Sequence, residues 1–141
     1  MARGRCFGAW VALAAALAAG CAGAPERPPG TGAKEAARGY YEALVRRDWA
    51  AAHAALHPDT RARCGREEFT RLARGYRRGL GFEPQGVRLR SCEERGGQAV
   101  AHVVLAGQAG GKQRSFRDAL LLRKAGAGWG VILPPRFGVA R

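Results

Sequence analysis

Apolar residues follow a helical period in the first half of the chain and an alternating period in the second half. Residues 33–47 have the i, i+3, i+4, i+7 spacing of an amphipathic helix, with a stripe formed by Ala37, Tyr40, Tyr41, Leu44 and Val45. Asp48 is a suitable N-cap for a short second helix over residues 49–56, which a His-Pro pair ends. A third helix is predicted over residues 66–78, before two glycines that stop it.

After Pro84 the apolar period shortens to two. Alternation predicts a first strand over residues 87–92, and the almost continuously apolar residues 98–106 are typical of a strand covered on both faces. A third strand is predicted over residues 115–124 and a fourth over residues 129–133, each after a glycine-containing turn. The sequence therefore predicts an α+β fold, in which three N-terminal helices pack on a curved antiparallel sheet of about four strands.

The N-terminal segment has the pattern of a secretory signal. Two arginines precede an uncharged, alanine-rich run over residues 6–19, which is shorter than the about 20 residues that a membrane-spanning helix needs. The run ends in Ala18-Ala19-Gly20-Cys21, which resembles the lipobox of bacterial lipoproteins. The resemblance implies that residues 1–20 are removed and that Cys21 carries lipid. Cleavage after the small residues 22–24 would instead give a soluble secreted protein.

The composition of the residues after Cys21 indicates where the folded domain begins. Proline and glycine are so frequent in residues 22–32 that an extended tether is favoured over a packed element. We therefore assign residues 1–20 to a signal peptide, 21–32 to a lipidated Cys with its tether, and 33–141 to the folded domain. Because alanine follows the Cys, the resemblance implies the outer membrane, facing the periplasm, in a diderm host, and otherwise the outer face of the cell membrane.

The net charge of the chain limits the classes of partner that we expect it to bind. The 141 residues include 24 Lys and Arg against 11 Asp and Glu, and removal of residues 1–20 with two of these arginines leaves a net charge of +11. An exported basic protein meets anionic headgroups, lipopolysaccharide or wall polymers. Arg71, Arg74 and Arg78 share one face of the third helix without interleaved aromatic residues that could stack on bases. A solvated polar face is the interpretation that we favour for these arginines. Anionic envelope polymers stay a candidate partner, beside a small apolar ligand or an envelope protein, and nucleic acid is not expected.

The cysteines outside the signal form an even pair. With Cys21 lipidated, Cys64 and Cys92 remain in an oxidising compartment, and we predict a disulfide between them. They lack the close ligand spacing of a zinc site, and His53 and His57 have no third ligand near them in sequence. We therefore predict neither a metal nor a cofactor.

Several small motifs resemble the nuclear transport factor 2-like superfamily. They are Tyr41-x-x-Leu44-x-x-x-Asp48-Trp49-x-x-Ala52-x-x-x-Leu56, a later helix containing Glu68-Phe69, and strands ending in Gly128-Trp129. The likeness spans residues 34–134 and implies a cone whose sheet wraps a long helix and leaves a pocket. Members include isomerases, dehydratases, transport factors and many non-catalytic modules, so function has to be argued from the pocket.

Asp118 is the most informative candidate in that pocket. On the predicted third strand its carboxylate lies in an apolar row formed by Phe116, Leu120 and Leu122. We favour a structural ion pair between this carboxylate and one of three arginines, namely Arg88, Arg90 and Arg117. In the alternative, Asp118 is a catalytic base.

The catalytic alternative needs a second group. Ketosteroid isomerase, which is similar in architecture, implies an Asp base with a Tyr hydroxyl as donor, and the candidate donors are Tyr40, Tyr41 and Tyr76. His102, in the middle of the apolar second strand, could instead form a His–Asp general base with Asp118. A strand histidine is more often a hydrogen-bonded structural residue, and we favour that role.

Three functions stay open on the sequence alone. The leading hypothesis is a lipid-anchored, non-catalytic module that binds a small apolar ligand or an envelope protein in its cone. The second is an isomerase-like or dehydratase-like enzyme that uses Asp118. The third is a basic domain that adheres to anionic envelope polymers. Open space beside Asp118 would favour the enzyme, and an apolar cavity in the cone would favour the binding module. A filled cone would favour adhesion to anionic polymers.

Overall fold

A computed structural model describes residues 30–139 as helices followed by strands. The helices are α1 (Ala33–Arg46), α2 (Trp49–Ala54), α3 (Pro58–Arg63) and α4 (Arg66–Gly79). The strands are β1 (Glu83–Arg95), β2 (Gln98–Ala109), β3 (Lys112–Ala125) and β4 (Gly128–Ile132). The signal peptide, Cys21 and most of the tether lie outside the described residues. Within residues 30–139, none of the helices has the length and apolar character needed to cross a membrane.

The structure has four helices where the sequence predicted three. The additional helix α3 begins at Pro58, because proline is well suited to the first turn of a helix, where its missing N–H is not needed. His57 caps α3, since its Nδ1 accepts a hydrogen bond from the amide of Asp59 at 3.2 Å. The same His-Pro pair therefore follows one helix and begins the next. The predicted number of helices was wrong for this reason.

The predicted antiparallel meander is confirmed. The strands are arranged in the order β1-β2-β3-β4, and all neighbouring pairs are antiparallel. In the register of β2 and β3, Val103 lies opposite Asp118. A bulge between Leu89 and Ser91 shifts the pairing of β1 with β2. The α+β fold class follows from the sequence, and each of the first three strands is longer than its alternating or apolar stretch predicted.

One face of the sheet is covered by the helices and forms the core. Along β2, inward residues such as Val103 and Leu105 are buried, and they belong to the same apolar cluster as Tyr40 and Tyr41 of α1. Outward residues alternate with them, and Val100 is 38% exposed. The prediction that this strand is covered on both faces is therefore wrong for the described part of the chain: its outer apolar residues face solvent.

A parallel bridge joins the helical layer to the edge of the sheet. The segment after α2 runs beside β4, where the amide of Val131 donates to the carbonyl of Ala55 at 2.9 Å and the amide of His57 donates to the carbonyl of Val131 at 2.8 Å. Gly130 permits this approach, because a Cβ at that position would collide with the backbone of His57. The predicted second helix consequently ends before Leu56.

Candidate functional site

Two tyrosines from different helices meet on one oxygen of Asp118. The Oδ2 atom accepts hydrogen bonds from the hydroxyl of Tyr41 on α1, at 2.9 Å, and from the hydroxyl of Tyr76 on α4, at 2.6 Å. The Oδ1 atom accepts a bond from the amide of Ala119 at 2.9 Å. The carboxylate, which is half-buried on the inner face of β3, therefore connects both long helices to the sheet.

The environment keeps both hydroxyls protonated. Burial, and after it the negative charge of Asp118, raise the pKa values of Tyr41 and Tyr76 well above the ordinary value of 10.0. The hydrogen bonds to the carboxylate act in the same direction, since they stabilise the neutral hydroxyls. Across the usual pH range both tyrosines are therefore donors to Asp118.

Tyr40 lies next to this cluster without joining its hydrogen bonds. Its ring meets that of Tyr41 edge to face, with centroids 5.4 Å apart. Its hydroxyl is buried and has no hydrogen-bond partner within residues 30–139. Burial is the largest cause that raises the pKa of Tyr40, followed by the charges of Asp118 and Cys64. Of the three predicted hydroxyl donors, Tyr41 and Tyr76 contact the carboxylate and Tyr40 does not.

The arginine partners predicted for Asp118 are not found. No ion pair joins the carboxylate to an arginine in the part of the chain that the structure describes. Arg117 precedes Asp118 on β3 and so has its side chain on the other face of the sheet. Arg88 and Arg90 line a depression on the same outer side. The tyrosines were candidates from the sequence, but their role as the partners of Asp118 depends on how α1 and α4 pack.

His102 does not form a pair with Asp118 either. It lies opposite Ala119 in the register of β2 and β3, whereas Asp118 lies opposite Val103. Neighbouring positions on a strand point to opposite faces, so the exposed imidazole and the carboxylate are on different sides of the sheet. The predicted His–Asp general base is therefore excluded in this arrangement. A shift of one position in the register between β2 and β3 decides whether His102 and Asp118 share a face, and the sequence alone does not determine that register.

The interior beside the tyrosine cluster is filled by aromatic rings. Phe137, from the segment after β4, stacks on Phe69 with centroids 6.0 Å apart and on Tyr76 at 5.1 Å. The next residue, Gly138, approaches α4 so closely that a Cβ there would collide with the carbonyl of Leu72. Phe137 is 8% exposed. No local pattern in the sequence indicates that Phe137 is buried, because it follows two prolines outside any periodic segment.

These contacts give Asp118 a structural role in the described molecule. A half-buried carboxylate is stable when its oxygens accept hydrogen bonds, and here both oxygens do so. The arrangement links three elements of the fold, and neighbouring space is occupied by Phe137 and Tyr76. Asp118, Tyr41 and Tyr76 thus form a cross-link within the core.

The histidines of the second predicted helix bind backbone atoms. The Nε2 of His53 is 2.9 Å from the carbonyl oxygen of Cys64, and the Nε2 of His57 is 3.3 Å from that of Lys124. Within residues 30–139, no three His, Cys, Asp or Glu side chains are grouped so that they could hold a metal ion. Both imidazoles are explained by contacts that hold loops and strand ends in place.

The predicted disulfide is not present, and Cys64 and Cys92 are both free thiols. Cys64 precedes α4 and is near Glu68, whereas Cys92 is on β1 near Lys34 at the start of α1. Burial is the largest cause that raises the pKa of each thiol. An even number of cysteines indicated a bridge, but the fold places them against different parts of the helical layer.

A basic groove, which we call the α4 groove, runs along the outer side of the last helix. A depression of about 620 Å³ continues into one of about 500 Å³, and Arg74 and Arg78 line both. Arg71 is paired with Glu68 at 2.6 Å. Arg66, Arg74 and Arg78 have no carboxylate partner within residues 30–139. Glu67 and Glu83 also line the groove, but arginines outnumber them, so the face that the sequence predicted to be polar carries a net positive charge.

Arg77 of the same helix has a different role. Its guanidinium is buried and donates to the carbonyl oxygens of Leu44 and Val45 at 2.8 and 2.9 Å, and it forms an ion pair with Glu83. Burial alone would raise the pKa of Glu83, but its hydrogen bond from Arg47 and the charges of Arg77 and Arg47 lower it. These contacts fasten the end of α1 to α4 and β1, so Arg77 is a structural arginine.

Comparisons with known proteins support the fold. No protein-family model and no curated protein matches the chain. Among solved structures, a SEC-C motif-containing protein from Rhodopseudomonas palustris has a TM-score of 0.51 at 18% identity, over 68% of this chain and 71% of that one. This likeness shows a shared arrangement of helices and sheet, and no shared activity follows from it.

Two further structures are similar at a lower level. A ketosteroid isomerase-like protein from Erwinia carotovora atroseptica has a TM-score of 0.47 at 19% identity, over 69% of this chain and 85% of that one. A de novo designed protein with a curved β-sheet has a TM-score of 0.46 at 21% identity, over 70% of this chain and 92% of that one.

Proposed function

We propose that this chain is a lipid-anchored cell-envelope protein with a nuclear transport factor 2-like domain, and that the domain adheres to anionic envelope polymers without catalysis. The observation that carries the proposal is the α4 groove, where Arg66, Arg74 and Arg78 have no carboxylate partner within residues 30–139. Guanidinium groups donate paired hydrogen bonds that match phosphate and carboxylate oxygens. A row of unpaired arginines thus favours a partner with repeated anionic groups.

The shape of the groove supports a polymer over a single small anion. Arg66 and Arg78 are twelve residues apart on one helix, which corresponds to about 18 Å along its axis. Trp49 and Phe82 extend the lining beyond the end of α4, where a less polar part of a polymer could pack. Several contacts spread over this length would give affinity that depends on chain length and falls with salt.

The packing of the interior removes support from the other two hypotheses. An apolar ligand in the cone would need the space that Phe137 occupies between Phe69 and Tyr76. An enzyme built on Asp118 would need room for a substrate beside the carboxylate, whereas Oδ2 already accepts two tyrosine hydrogen bonds and Phe137 stacks on Tyr76 next to it. The polymer hypothesis is the one that uses the groups left unpaired on the surface.

The polymer hypothesis can be tested with inorganic polyphosphate as the probe. We expect the chain to bind long polyphosphate more tightly than tripolyphosphate, with an affinity that falls as salt is raised. Arg74→Gln with Arg78→Gln should weaken binding, while the matched pair Arg38→Gln with Arg61→Gln, which lines neither the α4 groove nor the depression on the outer side of the sheet, should not. An equal loss of polyphosphate affinity in both double variants, or an equal affinity for long polyphosphate and tripolyphosphate, would contradict a role for the α4 groove.

The anchor is supported by the sequence around Cys21 and is tested separately. If Cys21 is lipidated, the native protein should partition into detergent and Cys21→Ser should move it out of the membrane fraction. The matched control is Cys64→Ser, which removes a thiol of the folded domain and should leave the protein in that fraction. A mass spectrum with an unmodified Cys21 in the mature protein would refute lipidation.

A further inference from the structure

The outer face of the sheet carries apolar side chains that the rest of the described chain does not cover. Val100 on β2 lies directly opposite Leu121 on β3, and these side chains are 38% and 37% exposed. Val104 and Ala106 continue the apolar character along the same face of β2. An antiparallel sheet with one solvated face normally alternates apolar and polar residues, so an apolar outer row indicates that something binds there.

Arginines flank one end of this apolar row, since Arg88 and Arg117 both lie opposite Val104, whereas Glu93 lies opposite Val100. A depression of about 700 Å³ on the same face is lined by Arg88, Arg90 and Arg117, together with His102 and Ser115. None of the three arginines has a carboxylate within salt-bridge distance in the described part of the chain. We call this surface, formed by the apolar row and its three arginines, the outer-sheet face.

We propose that the outer-sheet face rests on an anionic phospholipid bilayer. Arginine is suited to such a surface, because its aliphatic part packs against apolar groups while the guanidinium binds phosphate oxygens. Val100 and Leu121 reach the boundary between headgroups and acyl chains, and the arginines that flank Val104 on the same face bind the headgroup phosphates. The proposal rests on these described residues and holds whether or not Cys21 is lipidated.

Charge complementarity selects this occupant over a second copy of the chain. Two outer-sheet faces packed against each other would bring six arginines together with only two copies of Glu93, the acid that lies opposite Val100 on the same face, so positive charge would stay in excess. Such like-charge contact is unfavourable when it is desolvated. An anionic bilayer instead provides negative charge over an area as wide as the face.

The proposal also gives the domain an orientation. The helices cover the inner face of the sheet, so the α4 groove and the outer-sheet face lie on opposite sides of the described domain. A domain that rests on lipid through its sheet therefore presents α4 away from the bilayer. The two basic surfaces can then bind two anionic partners at the same time.

Vesicle cosedimentation tests the proposal. The full chain carrying Cys21→Ser, so that no acyl chain contributes, is mixed with phosphatidylcholine vesicles or with phosphatidylcholine vesicles containing phosphatidylglycerol. We expect binding to the anionic vesicles to be stronger and salt-sensitive. Arg88→Gln with Arg117→Gln should weaken that binding about thirtyfold, at roughly fivefold for each arginine near an anionic surface. The matched control is Arg38→Gln with Arg61→Gln, two exposed arginines that line neither the α4 groove nor the outer-sheet face.

Leu121→Glu supplies a second variant that places a negative charge within the apolar row. It should weaken binding to the anionic vesicles, and because Leu121 is exposed it should leave the circular dichroism spectrum unchanged. The proposal is overturned if both arginine pairs weaken vesicle binding equally, or if the unsubstituted face does not distinguish the two vesicle types. It is also overturned if the chain is a dimer that Leu121→Glu dissociates, since the occupant would then be a second copy.

Discussion

Replacing Asp118 by Asn tests the hydrogen bonds that hold the interior together. The substitution keeps the size of the side chain and removes its charge. Two hydroxyl donors, from Tyr41 and Tyr76, then face a neutral amide instead of a carboxylate oxygen. If the amide oxygen turns toward the tyrosines, its NH₂ group faces the amide of Ala119, which is also a donor. Either orientation loses favourable contacts.

The size of the effect follows from the number of bonds. A hydrogen bond to a charged acceptor is more favourable than a neutral one by about 1 kcal/mol, so two of them amount to about 2 kcal/mol. For a domain of this size that corresponds to a fall in the melting temperature of roughly 8 °C. The measurement is urea unfolding of Asp118→Asn beside Asp59→Asn, a surface control whose side chain is 66% exposed.

A double-mutant cycle identifies the partner. Tyr76→Phe removes one donor, and its effect on the free energy of unfolding should be smaller in the Asp118→Asn background than in the wild type by about 1 kcal/mol. The reasoning is refuted if Asp118→Asn is as stable as the wild type or more stable. That result is the one expected of an active-site carboxylate, and it would favour the enzyme hypothesis over a non-catalytic role.

Three further predictions concern the same interior. All three tyrosines of the chain have raised pKa values, so alkaline titration of the folded protein should show no tyrosinate absorbance near pH 10. Because unfolded tyrosines do ionise there, the free energy of unfolding should fall as the pH rises above about 10. A tyrosine hydroxyl of the native protein that titrates near pH 10 would contradict this prediction. Phe137→Ala should lower the free energy of unfolding by about 3 kcal/mol, measured with urea, and a loss below about 1 kcal/mol would mean that the ring is not packed in the interior. Cys64 and Cys92 should both react with an alkylating reagent without prior reduction. The reaction should be slow, because burial raises the pKa values of both thiols. A protein mass lower by two hydrogens would show instead that the two cysteines form a disulfide.

The sequence predicted most elements of this fold, because a regular apolar period marks α1, α4 and β1, and a continuous apolar run marks β2. The stripe on α1 and the alternation of β1 are read directly from the residues, and turns with glycine separate the strands. The extra helix α3 was missed because a proline after a histidine is compatible with both an end and a beginning. Local patterns therefore determine where an element lies more reliably than how many elements a short segment contains.

The site was predictable only in part, because it depends on contacts between distant elements. The alternation of β3 correctly assigned Asp118 to the inner face. The choice of Tyr41 and Tyr76 as its partners, over an arginine or His102, depends on helix packing and on the register between β2 and β3. Phe137 has no periodic neighbours, so nothing in its local sequence indicates that it fills the interior.

The bridge between Leu56 and Val131 has a consequence for the speed of folding. Each strand of the meander pairs with its sequence neighbour through a short turn, so those contacts need little loop closure. The bridge instead joins the segment after α2 to the last strand, and a long stretch of chain has to be ordered before it can form. Docking of that segment on β4, beside Gly130, is therefore the slow event expected in refolding, and the helical layer gains its full stability only after the sheet is complete.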